Sequence, residues 1–134
     1  MKKCVSLGVG VLIMLGIMGT GWTDNYKIGV NAPLTGPAAE VGQYIKNGAL
    51  IAVDDINNKG GVLGRKIEVV FGDDEAKPEV GVSVYERFMT KDKVDAVIGG
   101  LNSSVNIAMQ ETAAKYDKIF ITGGPVSEIL TERQ

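Results

Sequence analysis

Short apolar runs and longer stretches with helical spacing alternate along most of this chain. Four of the runs are rich in Val and Ile and predict β-strands at residues 26–32, 66–71, 94–98 and 119–121. Each run is nearly continuous in apolar residues, which is typical of strands that are buried on both faces of a parallel sheet.

Three amphipathic stretches lie between these runs and predict helices. One face of the first stretch is formed by Ile45, Ala49, Ala52 and Ile56. Gly60-Gly61 follows it and is suited to a left-handed helix end. The second helix is predicted to begin at Pro78 and to end near Lys91. The third has an apolar face that consists of Val105, Ala108, Met109, Thr112, Ala113 and Tyr116, and Ser103 or Ser104 is its expected N-cap.

Strict alternation of strands and helices predicts an α/β fold, a Rossmann-like parallel sheet with helices on both faces and strand order 2-1-3-4. In such a sheet, ligands bind outside the carboxyl ends of the strands where the winding reverses, here strands one and three. Residues 33–40 and 99–104 should therefore form the ligand site, with residues 122–127 alongside. A fourth helix is expected to begin at Ser127, so the fold is expected to be incomplete at Gln134.

The first residues of the chain have the pattern of a secretory signal. Lys2 and Lys3 precede an uncharged stretch, residues 4–23, whose compact apolar part covers residues 5–18. Small residues follow, so residues 1–23 are predicted to be a signal peptide, and the mature chain is expected in the periplasm or otherwise outside the cytoplasm. The alternative is an uncleaved membrane anchor, since about 20 uncharged residues can span a bilayer.

Composition narrows the possible functions. Removal of residues 1–23 leaves 111 residues, enough for one domain, with 12 basic and 16 acidic residues and a net charge of −4. This balance does not favour nucleic acid as a partner. The mature chain has neither Cys nor His, which excludes Cys/His zinc sites, Ser-His-Asp triads and thiol chemistry.

The segment Gly99-Gly100-Leu101-Asn102-Ser103-Ser104 joins a predicted strand to a predicted helix. Backbone amides at such a helix start, together with two hydroxyl groups, can bind a carboxylate. The alternative interpretation is that Ser103 only caps the helix.

The segment Pro33-Leu34-Thr35-Gly36-Pro37 is predicted to be a rigid turn. It lacks the glycine spacing of a dinucleotide site and the Gly-Lys-Ser/Thr of a phosphate loop, which disfavours a nucleotide ligand. It either connects two elements or forms one wall of the crevice with Leu34 and Thr35.

Three adjacent acidic residues, Asp73, Asp74 and Glu75, follow the second predicted strand. Such a group could hold a hard cation such as Mg²⁺ or Ca²⁺. The favoured interpretation is structural, a solvated acidic cap at the start of the helix near Pro78, so no metal or other cofactor is predicted.

An ordered set of motifs resembles the type I periplasmic solute-binding proteins, most closely the leucine/isoleucine/valine-binding branch. The motifs are KIGVNAPLTGP at residues 27–37, AVDDIN at residues 52–57 with Lys59-Gly60-Gly61, Asp73-Asp74 with Pro78, and VIGG at residues 97–100 with Ser103-Ser104. The resemblance implies an extracytoplasmic receptor that does no catalysis. It would capture an amino acid or a similar small solute between two lobes and deliver it to an ABC transporter permease. Residues 24–134 would be most of the N-terminal lobe.

The resemblance also implies roles for particular residues. A serine of the third strand's loop binds the ligand in this family, and Ser103 or Ser104 holds that place. The expected ligand-binding residues are Ser103, Ser104, Asn102, Gly123, Gly124, Leu34 and Thr35. Val126 stands where a threonine hydroxyl is expected, and Val41 stands where an aromatic residue is expected. These two differences weaken the expectation of a branched-chain amino acid.

The sequence is also compatible with two functional classes other than a solute-binding receptor. The same lobe could form half of the ligand-binding domain of a membrane-anchored sensor, which an uncleaved N-terminal segment would favour. A Mg-dependent receiver-like domain is the other possibility, although export and the position of the acidic residues after strand two disfavour it.

Overall fold

The computed structural model describes residues 24–124 and Glu128. Its strands are β1 Tyr26–Ala32, β2 Ile67–Asp73, β3 Ala96–Gly99 and β4 Ile119–Thr122. Its α-helices are α1 Ala39–Asn58, α2 Pro78–Arg87 and α3 Ser103–Ala113, and a π-helical turn, Phe88–Asp92, continues α2. The predicted signal peptide and all of the predicted fourth helix except Glu128 lie outside the described residues.

The strands form one parallel sheet in the order β2-β1-β3-β4, which confirms the predicted topology. β1 lies at the centre, where Ile28 is opposite Val69 of β2 and Ala96 of β3. Adjacent residues of a strand point to opposite faces. The helices are on both faces, since Lys46 of α1 lies over the Phe71 ring whereas Val84 of α2 would meet a side chain at Gly72.

The main core lies between the sheet and the layer formed by α2 and α3. Its buried members are Val84, Tyr85, Phe88, Val94, Val97, Val105, Met109 and Ala113. Phe88 is fully buried directly over the backbone of β1 and β2, because a Cβ atom at Gly29 would lie 2.8 Å from its ring, and one at Gly72 would lie 2.9 Å from it. Burial of a side chain of this size contributes roughly 1.5 to 3 kcal/mol.

Helix boundaries agree in part with the sequence prediction. α1 begins before the apolar pattern indicates, at Ala39, where the Ala39 amide donates to the Gly36 carbonyl (3.1 Å). Ala52, predicted for its apolar face, is exposed. α1 ends as predicted near Gly60, which has a left-handed backbone (φ 98°).

α2 and its π-helical turn together reach Asp92, close to the predicted end. The predicted N-cap of α3 is wrong. Asn102, with an extended backbone, occupies that position, and Ser103 and Ser104 are the first helical residues.

β3 and β4 are not buried on both faces, contrary to the prediction. Ile98, Ile119 and Ile121 share one face of the sheet, and their side chains are 37%, 65% and 53% exposed. α1 lies on this face, where it contacts β1 and β2. Within the described residues, β4 pairs only with β3, so its other edge is open.

Two glycines of α1 should respond oppositely to alanine. A Cβ atom at Gly42 would lie 2.0 Å from the Pro33 carbonyl oxygen, whereas nothing lies within 4 Å of one at Gly48. We expect Gly42→Ala to destabilise the chain by about 1 to 3 kcal/mol through overpacking. Gly48→Ala should stabilise it by roughly 0.5 to 1 kcal/mol, because alanine favours the helix interior.

Urea denaturation of both variants measures these changes. Equal effects of the two substitutions would contradict the close contact between α1 and the loop that follows β1.

Candidate functional site

The loops that follow β1, β3 and β4 meet at the carboxyl end of the sheet. A Cβ atom at Gly100 would lie 2.4 Å from the Asn31 carbonyl oxygen of β1, so this glycine lets the β3–α3 loop lie against the end of β1. A Cβ atom at Gly124 would lie 3.3 Å from the Gly100 carbonyl oxygen. These loops therefore lie close together at the place where the winding reverses, which is where the sequence predicts the ligand crevice.

Ser103 and Ser104 form the start of α3 beside this crevice. Ser103 is half-buried and Ser104 is exposed, and this helix start has no side-chain cap hydrogen bond. Neither serine hydroxyl has a hydrogen-bond partner among the described residues. The first amides of a helix also lack intrahelical partners, so the helix start offers amide and hydroxyl donors to an anion.

Asn102 and Asn106 shape the same loop. The Asn106 amide nitrogen donates to the carbonyl oxygens of Asn102 (2.8 Å) and Gly100 (3.3 Å), which holds the loop against the first turn of α3. The side-chain oxygen of Asn102 is buried without a partner within the described part of the chain, and so is that of Asn106. Sequence reasoning missed Asn106; its signal was a polar residue beside the apolar face of α3.

Leu34 and Thr35 direct their polar groups toward β2. The Leu34 amide donates to Asp73 Oδ1 (2.8 Å), and the Thr35 amide donates to the same atom (3.3 Å). The Thr35 hydroxyl donates to Asp73 Oδ2 (2.7 Å). The structure thus places both residues in the loop at the crevice, but pairs their donors with Asp73.

Gly123 and Gly124 follow β4 and are exposed. Val126, the residue at the position where a hydroxyl is expected, lies outside the described residues. Val41, where an aromatic side chain is expected, is on the first turns of α1 and is 40% exposed.

The acidic residues at the end of β2 and directly after it are not the solvated helix cap that the sequence predicts. Asp73 is half-buried and bonded to the neighbouring loop, Asp74 is fully buried, and only Glu75 is exposed, where it pairs with Lys77 (2.8 Å). α2 has Lys77 at its N-cap and no side-chain cap hydrogen bond. Over residues 24–124 and Glu128, no group of three or more acidic residues is arranged to hold a metal ion.

Asp74 is held by two hydrogen bonds in the interior. Its Oδ2 accepts from the Asn31 side chain (2.6 Å), and its Oδ1 accepts from the Ala76 amide (2.8 Å). Burial raises the pKa of Asp74 above its ordinary value, and the negative charge of Asp73 acts in the same direction. The hydrogen bonds from Ala76 and Asn31 oppose this shift without cancelling it.

Asp73 shows the opposite shift. Partial burial acts to raise its pKa, but hydrogen bonds from the Thr35 hydroxyl and from the amides of Glu75, Leu34 and Thr35 stabilise the charged form more. The pKa of Asp73 is therefore lowered.

Two hollows lie away from the crevice. One, of about 690 Å³, is formed by the last turns of α3 with Ile119 and Phe120 of β4. The other, of about 520 Å³, is lined by charged residues at the opposite end of the sheet, among them Arg65 and Asp95. No helix in the described ranges is both long and apolar enough to cross a membrane.

Known proteins are similar to this chain over most of its length. A family model described as periplasmic binding protein matches residues 25–133. The chain is 40% identical over 134 residues to Leu/Ile/Val-binding protein homolog 2 of Brucella abortus, covering 100% of this chain and 36% of that protein. It is 37% identical over 134 residues to an amino acid binding protein of Pseudomonas aeruginosa, covering 98% and 36%.

Solved structures show the same architecture. The branched-chain amino acid transporter substrate binding protein LivJ of Streptococcus pneumoniae, in complex with isoleucine, matches with a TM-score of 0.79 at 34% identity. The match covers 83% of this chain and 32% of LivJ. The leucine binding protein LivK of Thermotoga maritima matches with a TM-score of 0.74 at 27% identity, covering 81% and 30%. The chain spans about a third of the length of these relatives.

Opposite pKa shifts at Asp73 and Asp74 predict opposite pH effects on stability. The folded-state pKa of Asp74 is raised, so the contribution of this group is present below its unfolded pKa and is lost as pH rises through its folded pKa. Asp74→Asn removes the ionisable group, and with it the loss of stability at higher pH. The stability of the variant relative to the unmodified chain should therefore increase as pH rises from about 4 to about 7.

Asp73→Asn provides the matched comparison. The pKa of Asp73 is lowered, so its contribution is present above the unfolded pKa and is lost as pH falls. This variant should lose stability relative to the unmodified chain as pH rises toward about 4, which is below the range in which Asp74 acts. Urea denaturation from acidic pH to about pH 7 measures both slopes, and slopes of the same sign would contradict the assignment.

Proposed function

Because this chain belongs to the periplasmic binding protein family, we propose that it binds an amino acid or a related small solute as the N-terminal lobe of an extracytoplasmic receptor for an ABC importer. The observation that carries the proposal is the start of α3, where the hydroxyls of Ser103 and Ser104 have no partner among residues 24–124 and Glu128 and lie beside the predicted crevice. The names of the similar proteins supply the ligand class.

An amino acid fits the donors and acceptors of this site. The first amides of α3 and the two serine hydroxyls are donors for a carboxylate, and each bond to a charged group contributes about 1.5 to 3 kcal/mol. The buried side-chain oxygen of Asn102, which has no partner in the described part of the chain, would be the acceptor for an ammonium group. Gly124, which follows β4, lies against Gly100 at the same end of the sheet. The proposed role is capture of the ligand without catalysis.

One lobe provides only part of the contacts of a complete receptor. If a two-lobe protein binds at about 1 μM, roughly 8 kcal/mol, half of its contacts would leave about 4 kcal/mol, or millimolar affinity. The cost of immobilising the ligand is not halved, so the affinity of this chain should be millimolar or weaker.

Delivery to a membrane permease and export of the receptor are part of the same proposal. LivJ is described as the substrate binding protein of a transporter, which supports this role for the complete receptor. The receiver-like alternative finds no support at Asp73 and Asp74, because both carboxylates are engaged by protein hydrogen bonds.

Export should be followed by removal of residues 1–23. We expect cleavage between Gly19 and Asp24, because small residues follow the apolar stretch. Mass spectrometry of the protein recovered outside the cytoplasm measures the new N-terminus. Recovery of the full-length chain in the membrane fraction would favour the anchored sensor instead.

Leucine binding can be tested on the purified chain by NMR. We expect millimolar leucine to shift the amide signals of Ser103 and Ser104. The double substitution Ser103→Ala with Ser104→Ala should weaken the affinity by about 10-fold or more through lost bonds to the carboxylate. Its stability should change by less than about 0.5 kcal/mol, because the hydroxyls have no partners in the described structure.

Ser83→Ala is the matched control for this experiment. Its hydroxyl donates to the Glu79 carbonyl oxygen on the exposed surface of α2, which is not one of the predicted ligand-binding segments. This control should leave leucine affinity unchanged. If the double variant binds leucine as the unmodified chain does, the serines are not ligand-binding residues and the site is wrong.

A further inference from the structure

We infer that Asp73 is a positioning residue for ligand binding, which fixes the β1–α1 loop as one wall of the crevice without touching the ligand. This inference rests on the proposed function. The sequence predicts only a solvated helix cap for Asp73, and the topology of the sheet by itself gives this residue no role at the ligand.

The position of Asp73 in the sheet separates it from the ligand. It is the last residue of β2 and lies opposite Ala32, the last residue of β1. The crevice lies on the other side of β1, where β3 ends and α3 begins. Asp73 therefore reaches the crevice only through the loop that follows β1.

The carboxylate of Asp73 supplies four hydrogen-bond contacts to two loops. Oδ1 accepts from the amides of Leu34 (2.8 Å), Thr35 (3.3 Å) and Glu75 (3.0 Å), and Oδ2 accepts from the Thr35 hydroxyl (2.7 Å). Three of these four contacts are with the β1–α1 loop. Hydrogen bonds to a charged acceptor are stronger than those between neutral groups, so one side chain can determine where this loop lies.

The backbone directly after β2 forms an unusual turn that helps to orient the Asp73 carboxylate. Glu75 and Ala76 both have left-handed backbones, with φ of 50° and 59°. Residues other than glycine rarely adopt this conformation. Their amides donate to Asp73 Oδ1 and Asp74 Oδ1, so the two carboxylates hold the unusual turn in place. A simple helix cap would not need this geometry.

A second contact, with α1, also fixes the β1–α1 loop. Gly42 of α1 packs closely on the Pro33 carbonyl, where a Cβ atom would clash. The loop is thus held at its start by Gly42 and in its middle by Asp73. Ala39 adds a backbone bond to Gly36 (3.1 Å) at the end of the turn.

This arrangement changes the expected role of Thr35. Its amide and its hydroxyl hydrogen are both directed to Asp73, so neither is a donor for a ligand carboxylate. Thr35 and Leu34 then shape the wall, while donors for the carboxylate come from α3. Loss of Asp73 should weaken binding by displacing the wall.

The experiment compares Asp73→Asn with Asp95→Asn in the purified chain at pH 7. Asp95 is a matched carboxylate at the opposite end of the sheet, where its Oδ2 accepts from the Lys27 amide (2.9 Å). Asp73→Asn should weaken leucine affinity by roughly 10-fold, because charge-assisted bonds to the loop are lost. Asp95→Asn should leave the affinity unchanged. Equal affinity losses in both variants, or none in Asp73→Asn, would overturn the inference.

Thr35→Val is the second variant and removes one hydrogen bond without removing the charge. It should weaken leucine binding less than Asp73→Asn, and it keeps the test available if Asp73→Asn does not fold. Unchanged affinity in Thr35→Val together with unchanged amide signals of the loop would also contradict the inference.

A pH titration separates this inference from the proposed function. In the unmodified chain without ligand, the amide signals of Leu34 and Thr35 should shift as Asp73 is protonated at acidic pH, and Asp73→Asn should abolish this shift. If leucine leaves Ser103 and Ser104 unaffected, the proposed function fails, and with it the effect of Asp73 on affinity. If the Leu34 and Thr35 signals do not titrate, Asp73 does not position the loop, whatever leucine does.

Discussion

The seating of Phe88 on the backbone of β1 and β2 is the contact on which the rest of the fold depends. Its ring can reach the sheet only because Gly29 of β1 and Gly72 of β2, which lie on the same face of the sheet, have no side chains in its way. This contact sets the distance between the sheet and the layer of α2 and α3. Gly72 directly precedes Asp73 and Asp74, so the same contact fixes the point from which both carboxylates reach their partners.

Strand order, element type and the position of the crevice could be predicted from the sequence because they follow from local periodicity and from the handedness of crossovers. Contacts between segments that are distant along the chain could not be predicted in this way. Asp73 is 39 residues from Leu34 along the chain, and no local pattern shows that the two meet. The burial of Asp74 depends in the same way on Asn31, and the exposure of Ile119 depends on what lies over its face of the sheet.

The crevice combines two kinds of structural support. The start of α3 supplies donors whose direction is set by the helix itself, with Asn106 bonded to the carbonyls of the preceding loop. The β1–α1 loop has no regular structure, and its position depends on the Asp73 carboxylate, on the close approach of Gly42 and on the backbone bond from Ala39 to Gly36. Confirmed membership of the periplasmic binding protein family fits this division, since the strand and helix framework is shared while loops adapt to the ligand.

The π-helical turn at Phe88–Asp92 bears on how this sequence can change in length during evolution. Such a turn is closed by hydrogen bonds between residues i and i+5, so it holds one more residue than an α-helical turn. Because the turn follows Val84 and Tyr85 and begins at Phe88, loss of a residue near Thr90 would leave these core side chains in place. Loss of a residue earlier in α2 would rotate the face that follows it by about 100° and unseat the core. Homologues should therefore tolerate a change in the number of residues after Phe88, but not in the part of α2 that precedes it.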